Sequence, residues 1–422
     1  MLAPLKSSGT WRSALALASI ALLCLVGMSY LMPLELIADE TYHLLQVMLF
    51  LAHQFYLGPS LSVPPGYHAL VAAISALLDI HFLSGFRIIH ALLSLSCLGL
   101  TWWYWLRTAP SYPLIQSLQL LATPLLWPFY WTMYADLTSV AILLTGLLCV
   151  LERRYRWAAA IGLLSLFFRQ HNVFWLGFYW ALALAQEGFW HNLMLWLRSP
   201  AQKRAGLAHL FSPGARTTIV FAIPLAAFIV FIILNNGIAV GDRSNQTFGG
   251  IYPLQLFGFF LVLWILLLPL HIANLPKIVH LLLRQPAWIP VLCILFLIFI
   301  TTFTITHPHN FRSDYFLRNW FLYHLKDMFK YQVYAFVGIT WALLSLAVTP
   351  FRERAQYWLY PITALALLPV WLIEQRYYIM PFVLFMLFRI PGSRWLEISL
   401  LAWSILLSIP LTAGFTSMKV FI

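Results

Sequence analysis

Apolar runs long enough to cross a bilayer constrain this chain more than any other feature of its sequence. From Ser13 to Leu34 no acidic or basic residue occurs, and largely apolar stretches, several of them short, follow at 85–106, 113–132, 135–151, 157–168, 172–187, 217–239, 252–272, 287–306, 331–349, 357–373, 378–390 and 397–415. About 20 apolar residues in helical form match the hydrocarbon thickness of a membrane, and a helix satisfies its own backbone polar groups there. With 62% hydrophobic and only 9% charged residues among 422, little is left for a water-soluble domain. The expected fold is all-α and polytopic, one transmembrane domain over residues 1–422 with about 11 to 14 membrane helices. The segment 66–84 reads either as another span or as a re-entrant piece.

A net charge of +12 invites a nucleic-acid reading, but the basic residues stand in ones, twos and threes between apolar runs rather than in a stripe. Topology accounts for them better, and no nucleic-acid partner is expected. With 66–84 not crossing and the N-terminus cytosolic, sixteen of the 25 Lys and Arg fall inside, among them Arg153-Arg154, Arg156 and Lys203-Arg204. The loop 188–216 mixes Trp with Arg and Lys and reads as a cytosolic amphipathic element lying on the membrane. Nine of the 13 acidic residues fall on the outer side or its edge. Acidic residues hardly influence topology, so this bias points to chemistry on the outer face. The four cysteines each sit in an apolar run without CxxC spacing, which excludes a zinc cluster and a disulfide framework.

Several polar groups interrupt the runs at outer edges. In the first outer loop, 35–84, Asp39, His43 and Gln46 lie at i, i+4 and i+7 on one helix face, with Glu40 beside them. The plain reading is the solvated start of an interfacial helix; the functional one is a carboxylate held at the membrane edge. Pro64-Pro65-Gly66 fixes a rigid turn. Asp136, in Tyr134-Ala135-Asp136, is either a helix cap or a second acid facing a cavity. Arg169-Gln170-His171-Asn172 is either a snorkelling edge or a ligand site. Asp242-Arg243 is either a surface pair or an oxyanion fork, and the outer loop 307–330, which includes Arg318, suits a surface helix or a lid. Glu374-Gln375-Arg376-Tyr377 places an acid and a base between spans. Together these describe a membrane enzyme or a transporter of an amphiphilic anion.

The motifs, in this order, resemble those of the dolichyl-phosphate-glucose-dependent alpha-1,2-glucosyltransferase family of lipid-linked oligosaccharide assembly. Asp39-Glu40 with His43 and Gln46 is similar to its Asp-Glu-x-x-His-x-x-Gln segment, and Pro64-Pro65-Gly66-Tyr67 to its Pro-Pro-Gly-Leu-Tyr turn, one residue shorter. Tyr134-Ala135-Asp136 resembles Tyr-Thr-Asp; Phe168 to Asn172 resembles Phe-Arg-Gln-x-Asn; Gly241 to Ser244 resembles Gly-Asp-basic-Ser. Pro253-Leu254-Gln255, His307-Pro308 and Glu374 to Tyr378 continue the series. Gly58-Pro59-Ser60 stands where the family has Trp-Asp-Pro, and its Ala-Asp-Asn-Arg is broken by residues between Asp314 and Arg318.

The resemblance implies a GT-C-type glycosyltransferase fold and transfer of a hexose, glucose in the family, from a polyprenyl (dolichyl) phosphate to a lipid-linked glycan with inversion, forming an alpha-1,2 linkage. Catalytic candidates are Asp39, Glu40 and Asp136, with Asp39 as base and Glu40 and His43 positioning it. Arg243, Arg376 and Arg318 would hold the donor phosphate; Asp136, Gln170 and Asn172 would orient sugars. Gln46, Arg169, Asp242, Glu374 and Tyr377 complete the expected binding set. No cofactor and no metal are expected. The site would face the endoplasmic reticulum lumen, or the periplasm in a prokaryote. The competing class is a flippase or transporter of a lipid-linked anion.

Overall fold

The computed structural model describes residues 10–58, 61–108, 111–190, 193, 214–241, 249–311, 319–326 and 328–418. Along the chain run α1 (Thr10–Leu31), α2 (Glu40–Leu51), α3 (Gly66–Leu78), α4 (Leu83–Thr108), α5 (Pro113–Ala122), α6 (Ala135–Leu151), α7 (Tyr155–Leu166) and α8 (Val173–Gln186). They are followed by α9 (Gly214–Asn235), α10 (Pro253–Leu266), α11 (Leu268–Arg284), α12 (Trp288–Thr301), α13 (Pro308–Phe311), α14 (Trp320–Leu325), α15 (Phe329–Val348), α16 (Leu359–Leu367), α17 (Ile379–Phe388) and α18 (Arg394–Thr416). Among the described residues there is no strand, only an isolated antiparallel bridge between Phe351 and Arg389. The all-α expectation holds.

Among the described residues four helices, α4, α9, α15 and α18, are long and apolar enough to cross a membrane unaided, and they match the expected spans 85–106, 217–239, 331–349 and 397–415. On α9 the exposed side chains Ile219, Ile223, Ile229, Val230, Ile233 and Leu234 form a face that water would not tolerate and lipid would. Proline shapes the remaining runs. The expected span 252–272 continues into α11, but the pair bends by 101° at Leu267, because Pro269 in the first turn of α11 cannot extend the ladder of α10. The expected span 113–132 stops as a helix at Ala122. Thr123 precedes Pro124 and is extended, with φ −69° and ψ 132°, and a 3-10 turn at Trp127–Tyr130 follows.

The ten residues of α17 are all buried. A helix apolar on every side belongs inside protein, and this one is part of a core shared with α6, α8 and α18. α3, at 13 residues, is about 20 Å long, short of a hydrocarbon core of about 30 Å, and it packs between α2 and α4. Most of the loop 188–216, and residues 312–318 of the expected outer loop, lie outside the described residues.

At the end of α17 a buried network ties the chain together. Arg389 makes a two-pronged pair with Glu397, Nη1–Oε1 2.7 Å and Nη2–Oε2 2.6 Å, and Gln119 bonds to both side chains. It anchors α5, α17 and α18 to one another.

Candidate active site

Charged residues scattered over distant segments converge where α2 and α6 begin. Asp39 immediately precedes α2; its N–H donates to the Tyr134 hydroxyl at 3.1 Å, and its Oδ2 lies 3.2 Å from Nη1 of Arg376. Arg376, in a 3-10 turn spanning Gln375–Tyr378, places Nη2 2.6 Å from Oε2 of Glu374 and its guanidinium 5.4 Å from the Tyr134 ring centre. Asp136, in the first turn of α6, is paired with Arg169, whose guanidinium lies 5.7 Å from the Tyr377 ring. The result is two linked triads, Glu374–Arg376–Asp39 and Asp136–Arg169–Tyr377.

Burial opposes the charge of Arg376, but the carboxylates of Glu374, Asp39 and Asp136 outweigh it and hold the group well above its ordinary range. The carboxylates differ sharply in access. Asp39 is 20% exposed, Asp136 3%, and Glu374 and Glu40 not at all. One oxygen of Asp136, Oδ2, is buried with no hydrogen-bond partner. Both guanidiniums carry more N–H groups than their carboxylate contacts occupy.

Other expected residues hold the frame. Glu40 accepts from Arg87 at 3.1 and 2.6 Å and from the backbone N–H of Ile37 and Met133 at 2.9 and 2.8 Å. Arg87 spends its other N–H groups on the carbonyls of Met32, Leu34 and Glu35. The Glu40 carboxylate thus joins α2, α4 and the chain on either side. Gln46 clamps the loop after α2, donating to Tyr56 O at 3.0 Å and accepting from Gly58 N at 2.7 Å. Asn172 donates to Ser139 Oγ and Ser165 O, both at 2.8 Å.

Gln170 knits three segments by donating to Ser62 O at 2.9 Å and Ile238 O at 3.3 Å. The Pro64-Pro65-Gly66 turn docks on the same strip: Gly66 N donates to Phe167 O at 2.8 Å, and a Cβ at Gly66 would lie 2.4 Å from that oxygen. Gly241, at φ +74°, stands where a Cβ would be 2.5 Å from Leu61 O. The chain after it, with Asp242 and Arg243, lies outside the described residues, as does Arg318.

Behind Asp39 the expected His43 meets His68, a histidine absent from the expected set. His43 Nδ1 is 2.8 Å from His68 Nε2, and both rings are buried. His68 Nδ1 has no partner, so the tautomer that orphans no donor has His68 Nε2–H donating to His43 and the His43 proton on Nε2. Burial, then the charge of His68, pushes His43 well below its ordinary range, only partly opposed by Asp39. His171 donates through Nε2 to Ala366 O at 2.8 Å, and burial takes it down to about 4. A charged residue inside the run 85–106 is the available sign of Arg87; nothing in the spacing marks His68.

Lipid-facing helices around a charged, aromatic-lined site define a polytopic membrane protein with a solvent-reached carboxylate at its centre. The chain belongs to the DIE2/ALG10 family, whose profile matches residues 34–387. It is 24% identical over 311 residues to the mouse Dol-P-Glc:Glc(2)Man(9)GlcNAc(2)-PP-Dol alpha-1,2-glucosyltransferase, covering 65% of this chain and 63% of that one. The protein of that name from Candida glabrata is 24% identical over 404 residues, 84% of this chain and 75% of its own length. The chain thus spans under two thirds of the mouse relative. Among solved structures it is similar to apo ArnT from Cupriavidus metallidurans, with TM-score 0.41 and 15% identity over 98% of this chain and 77% of that one.

Proposed function

We propose that this chain is a GT-C-type membrane glycosyltransferase that moves glucose from a polyprenyl (dolichyl) phosphate to a hydroxyl of a lipid-linked glycan. The names of its relatives supply the donor, the acceptor class and the alpha-1,2 linkage. The observation that carries the mechanism is the access of Asp39, the most exposed carboxylate in the cluster. A base must be reached by its substrate, and Asp39 is 20% exposed where Asp136 is 3% exposed and Glu374 is fully buried.

In the reaction the acceptor hydroxyl oxygen attacks C1 of the hexose as its proton passes to Asp39. The bond from C1 to the phosphate oxygen breaks, and its electron pair leaves with the polyprenyl phosphate. The configuration at C1 inverts in one displacement. That leaving group is already a stabilised anion, so it calls for cations more than for an acid. Arg376 and Arg169 offer spare N–H groups beside Asp39 and Asp136, and Arg243 and Arg318 are the further candidates. Glu40, through Arg87, and His43, through His68, position the start of α2 that carries Asp39. The site opens on the outer face, the lumen of the endoplasmic reticulum or the periplasm.

The test is transfer of labelled glucose from synthetic polyprenyl-phosphate glucose to lipid-linked glycans by the purified protein, with Asp39→Asn beside it. Transfer that Asp39→Asn abolishes is expected. Absence of transfer to any acceptor, with translocation of a lipid-linked anion in vesicles, overturns the proposal in favour of a flippase.

A further inference from the structure

Next to the charged cluster lies a cavity of about 270 Å3, formed between the start of α10, the segment from the end of α12 to α13, and the chain at 371–373. Among the described residues its lining contains no Asp, Glu, Lys or Arg, which sets it apart from the site at Arg376. Thr301, Thr302, Thr304, Thr306, His307 and Trp371 contribute to the wall. We infer that this cleft is a subsite for a neutral oligosaccharide, holding the pyranose units behind the accepting end of the glycan; the inference rests on the transferase reading above.

The hydroxyl chemistry carries it. Thr301 and Thr302 donate their O–H to the carbonyls of Leu297 and Ile298, at 2.7 and 2.6 Å, which leaves oxygen lone pairs to accept from a ligand. Thr306 does the reverse: its oxygen accepts from Trp371 Nε1 at 2.7 Å, which leaves its own O–H to donate. A wall that both accepts and donates, without charge, matches a ligand whose every hydroxyl does the same. A phosphate would find no cation among the described residues of the wall, and a lipid chain would desolvate the threonine row without compensation. Trp371, held by Thr306 and by the His307 ring at 4.6 Å, supplies an indole on the same wall.

The cleft is rigidly coupled to the charged site. Asn310 clamps Ile373 from both sides, donating to its carbonyl at 2.9 Å and accepting from its N–H at 3.0 Å. Glu374 is extended, with φ −148° and ψ 143°, so consecutive side chains alternate in direction: Ile373 faces the cleft, and Glu374 turns to Arg376. The chain at 371–376 is therefore a partition with sugar chemistry on one side and charge on the other.

The test uses the full chain in detergent or nanodiscs, with a labelled high-mannose oligosaccharide lacking lipid and pyrophosphate as binding probe and a lipid-linked glycan as acceptor. Trp371→Ala is expected to weaken probe binding and raise the acceptor KM by about tenfold, with the donor KM unchanged. Trp371→Tyr, which keeps a ring, should stay within about threefold of wild type. Thr306→Val, which removes the hydroxyl that donates into the cleft and accepts from Trp371 at little change in volume, is a second probe should Trp371→Ala not fold. Thermal unfolding identifies variants that retain the fold. Unchanged probe binding and unchanged acceptor KM in the folded variants overturn the subsite, as does displacement of the probe by a headgroup-free polyprenol in place of unlabelled oligosaccharide. If the wild type binds the probe through Trp371 yet transfers nothing, the subsite stands and the transferase reading falls. If it transfers glucose with an acceptor KM indifferent to Trp371, the transferase reading stands and the subsite falls.

Discussion

Arg376 lies 3.2 Å from Asp39 through one nitrogen and 2.6 Å from Glu374 through another, so one guanidinium joins the start of α2 to a turn near the far end of the sequence. Its removal has two separable consequences. Arg376→Ala leaves Glu374 buried without its cation and should cost about 3–5 kcal/mol of stability. Adding Glu374→Gln should restore most of that loss while leaving transfer impaired, because the guanidinium at Asp39 is still missing. Thermal unfolding and initial rates on both variants check this. Restoration of activity together with stability would reduce Arg376 to a strut.

Glu40 and Arg87 predict a different pattern. Neither is exposed, and the carboxylate accepts from two guanidinium nitrogens and two backbone N–H groups. Glu40→Gln should therefore lower the yield and thermal midpoint, by about 3 kcal/mol or more, through an uncompensated Arg87. The fraction that does fold should keep a kcat much closer to wild type than Asp39→Asn does. Active-site titration of the folded fraction separates the two effects.

Gly66 offers a test of the frame remote from the chemistry. A methyl group there meets Phe167 O at 2.4 Å, and backbone cannot swing away as a side chain would. Gly66→Ala should destabilise by about 1–3 kcal/mol and also slow transfer, since Arg169 follows two residues after the displaced carbonyl. A variant as stable and active as wild type would show that the turn can dock elsewhere.

Much of this arrangement is legible in the sequence, because membrane proteins place ionisable groups in apolar surroundings only where something holds them. Asp39, Asp136, Arg169, Glu374 and Arg376 stand out for that reason, and they do meet. Partners are harder to read. The spacing of Asp39, His43 and Gln46 indicates one helix face, but not that Gln46 turns to Gly58 or that His43 meets His68. Those pairings depend on how α2, α3 and α4 pack. Hydropathy makes helices too long where proline intervenes, at Pro124 and Pro269, since it averages over a residue whose effect is local.

The buried histidines predict an acid limit to stability. An unfolded histidine titrates near 6.5, whereas burial holds His171 to about 4 and pushes His43 down as well. Both folded values are depressed, so the unfolded chain binds more protons, and stability rises with pH across this range. The contribution is fully present above about pH 6.5 and is lost as pH falls towards 4. Thermal midpoints in nanodiscs should drop over that window, and His171→Gln should flatten the drop. A midpoint independent of pH between about 7 and 4 would mean that these rings take up protons alike in the folded and unfolded chains.

The choice between Asp39 and Asp136 as base is the last point that geometry turns into a measurement. Asp136 is the more deeply buried and is paired with Arg169, but its Oδ2 lacks a partner, so it retains an acceptor that a sugar hydroxyl could use. Asp39 is the more open and is fixed through its own N–H by Tyr134. Asp39→Asn removes a proton acceptor from the transition state and should lower kcat by about 10²- to 10⁴-fold. Asp136→Asn keeps a hydrogen-bonding group towards Arg169 and removes only a charge, so its effect should fall mainly on acceptor KM, with kcat within about tenfold. Single-turnover rates on the two variants, with donor saturating, decide the assignment. Near-complete loss of chemistry in Asp136→Asn, with retention in Asp39→Asn, would move the base to the start of α6 and leave Asp39 as the group that holds Arg376 in place.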